Sequence, residues 1–229
     1  MNTHVFFIKA KTNLHVGNES GSEFTIIDKA IQRDPLTGLP CINSSSLKGA
    51  INEFCAKVVK MEPALLQAIF GSDKTGRQSG NQKGSATFFD AKLLLLPQQD
   101  DSTLFHFATS ANTVAMMNDR VRLFDPSFNY APTQAEFGKA IVDEGVRFGE
   151  LCDDDNLPII ARNVLENGES KNLWYEQVLP AETVLYTIIR EEGEELKNAL
   201  NGQIVQIGAN ATIGYGYCLF SLHKTIEEG

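Results

Sequence analysis

The spacing of apolar and polar positions changes several times along the chain, and each change marks an element. Residues 3–11 (THVFFIKAK) are rich in β-branched and aromatic side chains and predict a first strand. A Gly/Ser/Glu-rich loop at 17–23 and a turn-forming stretch at 34–40 (DPLTGLP) follow. Leu47, Ala50, Ile51, Phe54, Cys55, Val58 and Val59 then recur at helical spacing, and Glu53 and Lys57 form an i,i+4 pair. A shorter helix carries Pro63 in its first turn and Gly71 just past its end. Residues 71–84 contain four glycines and no apolar side chain, the composition of a mobile loop. Strands are expected at 87–96 and 103–109, and Thr133 with Glu136 reads as a capping box opening a helix to about Val142. Loops at 153–155 and 167–170 flank hairpin-like strands. The last third reads as strand (183–190), helix (194–200), strand (203–207), glycine-rich loop and strand (217–222). Helices alternating with antiparallel-looking strands, without an internal repeat or linker, predict one α+β domain over residues 1–229, of ferredoxin type with large insertions.

Composition narrows the class. With 42% hydrophobic and 21% charged residues the chain is a folding one rather than a disordered one. Its net charge of -9 speaks against a nucleic-acid binder until its distribution is considered. Residues 1–90 hold ten basic and eight acidic side chains, whereas 91–229 hold ten and 21, so an anion site belongs in the first part or must be assembled locally. The apolar runs at 5–8 and 93–96 are too short for a signal-peptide core or a membrane span. Cys41, Cys55, Cys152 and Cys218 show no C-x-x-C pairing, and the four histidines are dispersed, which argues against zinc and for free thiols in a reducing cytosol.

Three stretches carry candidate chemistry. The first, 44–49 (SSSLKG), opens the most secure helix. With Ser45 as N-cap, Lys48 would fall in the first turn, where serine hydroxyls, free N–H groups and an ammonium make a phosphate site. A plain serine cap beside a solvated lysine explains the same residues. In the second, 208–217, Gly214 and Gly216 alternate with Tyr215 and Tyr217, so backbone can approach an RNA strand beside stacking faces. Glycines serving strand twist are the alternative. The third is Asp28, flanked by Lys29 and Arg33, which reads either as a loop salt-bridge partner or as an acid/base or metal-ligating carboxylate beside cations that hold a phosphodiester. His15 and Glu182 are similarly open between packing and chemistry.

Taken together, 14–17 (LHVG), 27–34 (IDKAIQRD), 37–40 (TGLP) and 44–49 resemble the N-terminal signature of the RAMP superfamily of CRISPR proteins. Within it, 84–97 and 172–186 are similar to the backbone subunit of type III-B (Cmr) effectors. Two positions depart from the common pattern: Gly208-Ala209-Asn210 stands where a double glycine is frequent, and Asn43-Ser44 replaces a glycine before the serine-lysine motif. The resemblance implies an RNA-recognition-motif-like (ferredoxin-like) palm with a glycine-rich loop and an inserted thumb hairpin at about 152–179. It implies stacking with further copies of the chain along a guide CRISPR RNA, in the cytoplasm, beside other Cmr subunits and without a membrane. Arg33, Ser45, Ser46, Lys48, Gly214 and Gly216 would hold guide RNA, and Arg162 and Asn163 would bind RNA from the thumb as it wedges into the guide–target duplex. Asp28 would cleave bound target RNA with a divalent metal, Mg2+ being the expected ion, and with His15 and Glu182 as candidate helpers. A non-catalytic, purely structural filament subunit is the alternative.

Overall fold

In the computed structural model, which describes residues 1–17, 27–71, 83–166 and 169–227, the sheet grows around β1 (Asn2–Ala10). Its alternate residues serve two cores: Phe6, Ile8 and Ala10 face one, Val5 and Phe7 the other. A strand buried on both faces needs the near-continuous apolar run seen at residues 5–8. Along the chain come β2 (Cys41–Ile42), α1 (Ser44–Phe54), α2 (Pro63–Phe70), β3 (Thr87–Phe88), β4 (Ala91–Asp100), β5 (Leu104–Thr109) and α3 (Ala111–Val121). Then follow α4 (Gln134–Phe137), β6 (Ile141–Asp143), α5 (Arg147–Leu151), β7 (Ile159–Glu166), β8 (Glu169–Gln177), β9 (Val184–Glu191), α6 (Glu195–Leu200), β10 (Ile204–Gln206) and β11 (Tyr217–Ile226).

The main sheet runs β10-β11-β1-β9-β4-β5-β6, with β2 paired to β4 and β3 to β9. Its central four strands, β11-β1-β9-β4, are antiparallel. Taken in chain order they stand fourth, first, third and second, with α1 in one crossover and α6 in the other. That is the ferredoxin-like α+β arrangement expected of the palm. Leu47, Ile51 and Phe54 of α1 pack on one face with Leu196 and Leu200 of α6. Met117 and Val121 of α3 close the other face with Phe128. The β7–β8 hairpin forms a separate two-stranded sheet, inserted between β4 and β9 in the chain as the thumb was expected to be. All four cysteines are buried free thiols, and among the described residues no helix is long and apolar enough to cross a membrane.

Several expected boundaries shift. The strand expected over 87–96 is two strands, and the second runs through Pro97, which lies opposite Phe107, to Asp100. Thr133 does cap a helix, its hydroxyl accepting from the Glu136 N–H, but α4 lasts one turn. Gly138, at φ 75°, ends it in the left-handed region that glycine adopts without penalty, and Ile141–Asp143 pairs in parallel with β5 instead. The long first helix is α-helical only to Phe54; Cys55–Val59 is a π turn ended by Lys60. α3 had no counterpart in the pattern reading, although Ser110 caps it through Thr113 and Val114, Met117 and Val121 line one side. The mobile loop expected at 71–84 lies, apart from its ends, outside the described residues.

Candidate nucleic-acid interface

Two polar regions emerge from this frame. The first is a cleft of about 340 Å3 between the start of α1 and the glycine-rich segment, lined by Ser45, Ser46, Gly49, Gln32, Gln206 and Gly208 among others. The fold therefore brings the serine motif and the glycine-rich loop onto one surface, although some 160 residues separate them. Gln32 fixes its floor. Its amide donates to Gly17 O at 3.1 Å and Ser46 Oγ at 3.0 Å, and its carbonyl accepts from the Asn43 N–H at 2.7 Å. Asn43, not Ser45, is the N-cap of α1, so Lys48 lies in the second turn and not the first. The acidic partner the helix dipole favours comes from elsewhere in the chain: Asp90 Oδ1 accepts from the Ser44 N–H at 2.8 Å. Lys92 then joins Asp90, at 3.0 Å, to Asp34. Partial burial works to raise Asp34, but the Lys92 ammonium and the N–H groups of Thr37 and Leu36 outweigh it and hold the carboxyl at about 2. Lys48 itself is half-buried and has no ion-pair partner among the described residues. Three residues after Ser45, it lies on the same side of the helix.

The glycine-rich loop is held mainly from inside. Gly208 and Gly216 have φ of 79°, and a side chain on them would run into the carbonyls of His15 and Ile207. Glycine at 216 is thus required by packing. Gly214, at φ 83°, faces open space. Asn210 takes a left-handed φ of 68°, which Asn tolerates better than most residues, and so stands in for a glycine.

The second region is the root of the thumb. Glu176, which is 1% exposed, receives Arg162 Nε at 3.0 Å and Asn210 Nδ2 at 2.8 Å on one oxygen, and its other oxygen lies 3.7 Å from His15 Nε2. Arg162 also stacks over Tyr215, at 4.7 Å from the ring centroid. His15 is buried, and its Nδ1 is 2.7 Å from the Gln177 carbonyl, so Nδ1 carries the proton and donates it. Gln177 in turn donates to Asp154 at 3.0 Å, and Asp154 accepts from Arg33 at 2.6 Å. Arg33 spends its other terminal nitrogen on the carbonyls of Gly38 and Cys152. Burial pushes Asp154 up, but Gln177 and Arg33 pull it below its ordinary value.

Asp28 sits on the edge of this junction. Its Oδ2 accepts from the Tyr175 N–H at 2.7 Å, its own N–H donates to Tyr175 O at 3.0 Å, and the side chain is exposed. It is thus anchored two residues from Gln177, where His15 attaches. Lys29 lies over Trp174 at 5.0 Å.

The structure sorts the expected site residues accordingly. Ser45 and Ser46 meet the glycine-rich loop at the cleft, with Lys48 beside them on α1. Asp28 and His15 both attach to β8, at Tyr175 and at Gln177. Arg33 and Arg162, expected on RNA, are bound by carboxylates and carbonyls of the protein itself. Asn163 is exposed on the other face of β7, bonded to Ser170 at 2.8 Å. Glu182 stands apart, paired with Lys9 and with Lys11 at 3.0 Å; burial works to raise its carboxyl, but the two lysines hold it below the ordinary range. The residues that pattern reading missed are Glu176, Gln32 and Asp90. For Glu176 a signal existed, since alternation from Trp174 puts it on the face of β8 that carries the large ring.

Comparison with known proteins settles the family. A model of the RAMP superfamily matches residues 7–219. The chain belongs to the RAMP superfamily. Across the whole chain it is 24% identical to the Cmr endoribonuclease Cmr4 of Pyrococcus furiosus, covering 98% of that protein. A 92-residue stretch, 40% of the chain and 28% of the relative, is 37% identical to the CMR subunit Cmr4 of Saccharolobus solfataricus. Among solved structures, a type III-B Cmr-beta complex bound to cognate target RNA contains a chain of the same fold (TM-score 0.78, 20% identity, 96% of each chain). So does oligomeric Cmr4 of P. furiosus (TM-score 0.74, 19% identity, 99% of this chain and all of that one). The RAMP resemblance read from residues 14–49 and the closing glycine-rich stretch is therefore borne out.

Proposed function

We propose that this RAMP protein is the repeating backbone subunit of a type III-B CRISPR effector complex. In this reading it binds guide CRISPR RNA at the serine-helix cleft, stacks with copies of itself and with other Cmr subunits, and cleaves bound target RNA at Asp28. The observation that carries the reading is the shared cleft. Serine hydroxyls and a close-approach glycine in the cleft, with Lys48 beside it on α1 and in no ion pair among the described residues, suit a sugar-phosphate backbone and offer little that would read base sequence. The full-length likeness to Cmr4 endoribonuclease supports the cleaving step.

The chain's own part in cleavage follows from Asp28. Tyr175 fixes Oδ2, which leaves Oδ1 free at the thumb root, among the described residues. A target strand bent there would bring a 2′-hydroxyl in line with the adjacent phosphorus. Asp28 Oδ1 would take the hydroxyl proton as the 2′-oxygen attacks and the 5′-oxygen departs. His15 is buried and bonded on one nitrogen, so it acts as a support for β8 beside Asp28. No group of three or more His, Cys, Asp or Glu suited to a metal occurs among the described residues, so those residues alone do not build a metal cage. A divalent cation would have Asp28 as its carboxylate ligand among the described residues, with RNA phosphates and water available for the rest, and would neutralise charge on the scissile phosphate.

The test is target cleavage by the assembled complex carrying Asp28→Ala. Loss of about 100-fold or more, with guide binding kept, is expected for a proton-transfer group. Cleavage at the full rate would leave the structural-subunit alternative, for which Asp28 is only the anchor of the 27–31 segment on β8. Chelation of divalent ions should stop cleavage as well; undiminished cutting in chelator would remove the metal from the proposal and leave Asp28 in place.

A further inference from the structure

At the root of the thumb two consecutive charged residues are tied to one carbonyl. The N–H groups of Asp28 and Lys29 both donate to Tyr175 O, at 3.0 and 3.1 Å, and the Lys29 carbonyl accepts from the Gln177 N–H at 3.0 Å. The backbone on either side of Lys29 is thus fastened to β8, and its side chain starts from a fixed point. The ammonium lies 5.0 Å from the centroid of the Trp174 ring. Lys29 is exposed and Trp174 half-buried. A ring face holds a cation in place without neutralising it, unlike a carboxylate. On this point Lys29 differs from the two arginines of the thumb root, Arg162 paired with Glu176 and Arg33 with Asp154. Lys29 is in no ion pair among the described residues. Its positive charge is therefore held, unspent, one residue from Asp28.

We infer that Lys29 is a second catalytic residue of the cleavage proposed for Asp28, its ammonium meeting a non-bridging oxygen of the scissile phosphate. The inference rests on that reading and deepens it. A carboxylate brought up to a phosphodiester meets like charge, and a neighbouring cation offsets the repulsion. The offset grows as the 2′-oxygen adds to phosphorus and negative charge builds on the phosphate oxygens. The 2′-oxygen–phosphorus bond forms as Asp28 takes the hydroxyl proton, and the bond from phosphorus to the 5′-oxygen breaks. The departing oxygen takes a proton from water, and the hydroxide left behind recovers the proton from Asp28. Lys29 gives up no proton and acts as a fixed charge throughout.

Single-turnover cleavage by the assembled complex separates this charge from packing. Lys29→Met keeps an unbranched stem over Trp174 and removes the charge, whereas Lys29→Arg keeps it. The Lys29→Met rate should fall at least about tenfold, less than for a buried oxyanion donor because the site is open to water, and Lys29→Arg should regain most of it. Affinity for a target with 2′-deoxyribose at the scissile position should change far less than the rate, as expected of a contact that strengthens in the transition state. A readout that needs no cleavage comes from Trp174, the single tryptophan of the chain. Adding the 2′-deoxy target to guide-loaded full-length protein should shift its emission as the ammonium turns from ring to phosphate, and Lys29→Met should largely lack the shift. The inference is overturned by a Lys29→Met rate equal to wild type or by a Lys29→Arg rate no better than that of Lys29→Met. An emission shift that is absent in wild type, or equal in Lys29→Met, overturns it too. Thermal melts check that each variant folds, and Lys29→Gln replaces Lys29→Met if it does not. Full-rate cleavage by Asp28→Ala, with an emission shift that still depends on Lys29, would remove the reading of Asp28 and leave Lys29 as a phosphate contact.

Discussion

The serine-helix cleft and the root of the thumb are two polar regions of this molecule that differ in where their charges go. At the thumb root the arginines are spent internally: Arg162 on Glu176 and Tyr215, Arg33 on Asp154, Gly38 and Cys152. Beside the cleft, the Lys48 ammonium has no carboxylate partner among the described residues, and the acid that steadies the helix end, Asp90, is held by Lys92. The first arrangement fixes the thumb to the palm; the second leaves charge available to a ligand. Two arginines and a lysine, alike in a sequence, thus belong to different tasks, and the difference lies in whether a carboxylate from a remote strand reaches them.

The sharpest way to break this contrast is at Glu176. Its removal by Glu176→Ala would leave Arg162 and Asn210 without their acceptor and take the carboxylate away from His15, in a place water scarcely reaches. Deleting one partner of a buried charged network costs about 3–5 kcal/mol, so a large fall in unfolding free energy is expected in urea titrations. Glu176→Gln, which keeps an acceptor of the same shape, should recover part of it. A loss below about 1 kcal/mol, the range of an exposed pair, would mean that the thumb root is not the rigid anchor described here.

A smaller effect tests the cleft's support. The Asp34 carboxyl is held at about 2 against an ordinary 3.8, so its ionised form is favoured by folding. That contribution is fully present above about pH 4 and disappears as pH falls through 2. Asp34→Asn should therefore cost about 2 kcal/mol at neutral pH, the worth of a charged hydrogen bond, and its melting temperature should converge with that of the wild type as pH approaches 2. Parallel melting curves from pH 6 to 2 would show Lys92 to be idle.

Much of this fold was legible because it depends on local period. The first strand, the serine helix, the Pro63 helix, the thumb hairpin and the β9–α6–β10–β11 order follow from alternation, helical spacing and punctuation by glycine and proline. What was not legible depends on partners distant in sequence. The N-cap of α1 is set by Asp90, forty-six residues away, and not by Ser45. α4 stops because Gly138 turns the chain toward β5. In the site, Ser45, Ser46, Lys48 and Asp28 could be picked out by residue type, whereas no spacing shows that Arg33 meets Asp154 or that Arg162 meets Glu176. Asn210 is instructive here: as a departure from the double glycine it looks like a loss, yet it keeps the left-handed backbone and gains a bond to Glu176.

Lys48→Ala is the mildest change and the one that separates the two regions most cleanly. Lys48 has no ion-pair partner among the described residues, so stability should shift by no more than about 0.5 kcal/mol, as for a surface substitution away from special features. If the ammonium lies against a guide phosphate, one fewer counterion is released on binding. The slope of log K against log salt should then fall by about 0.7–1, equally for guides of different sequence. Arg162→Ala is the control: it should lower stability and leave the slope almost unchanged, because its charge is already neutralised by Glu176. The contrast fails if the two variants exchange these signatures. A slope unaltered in Lys48→Ala would return the 44–49 motif to an ordinary helix start.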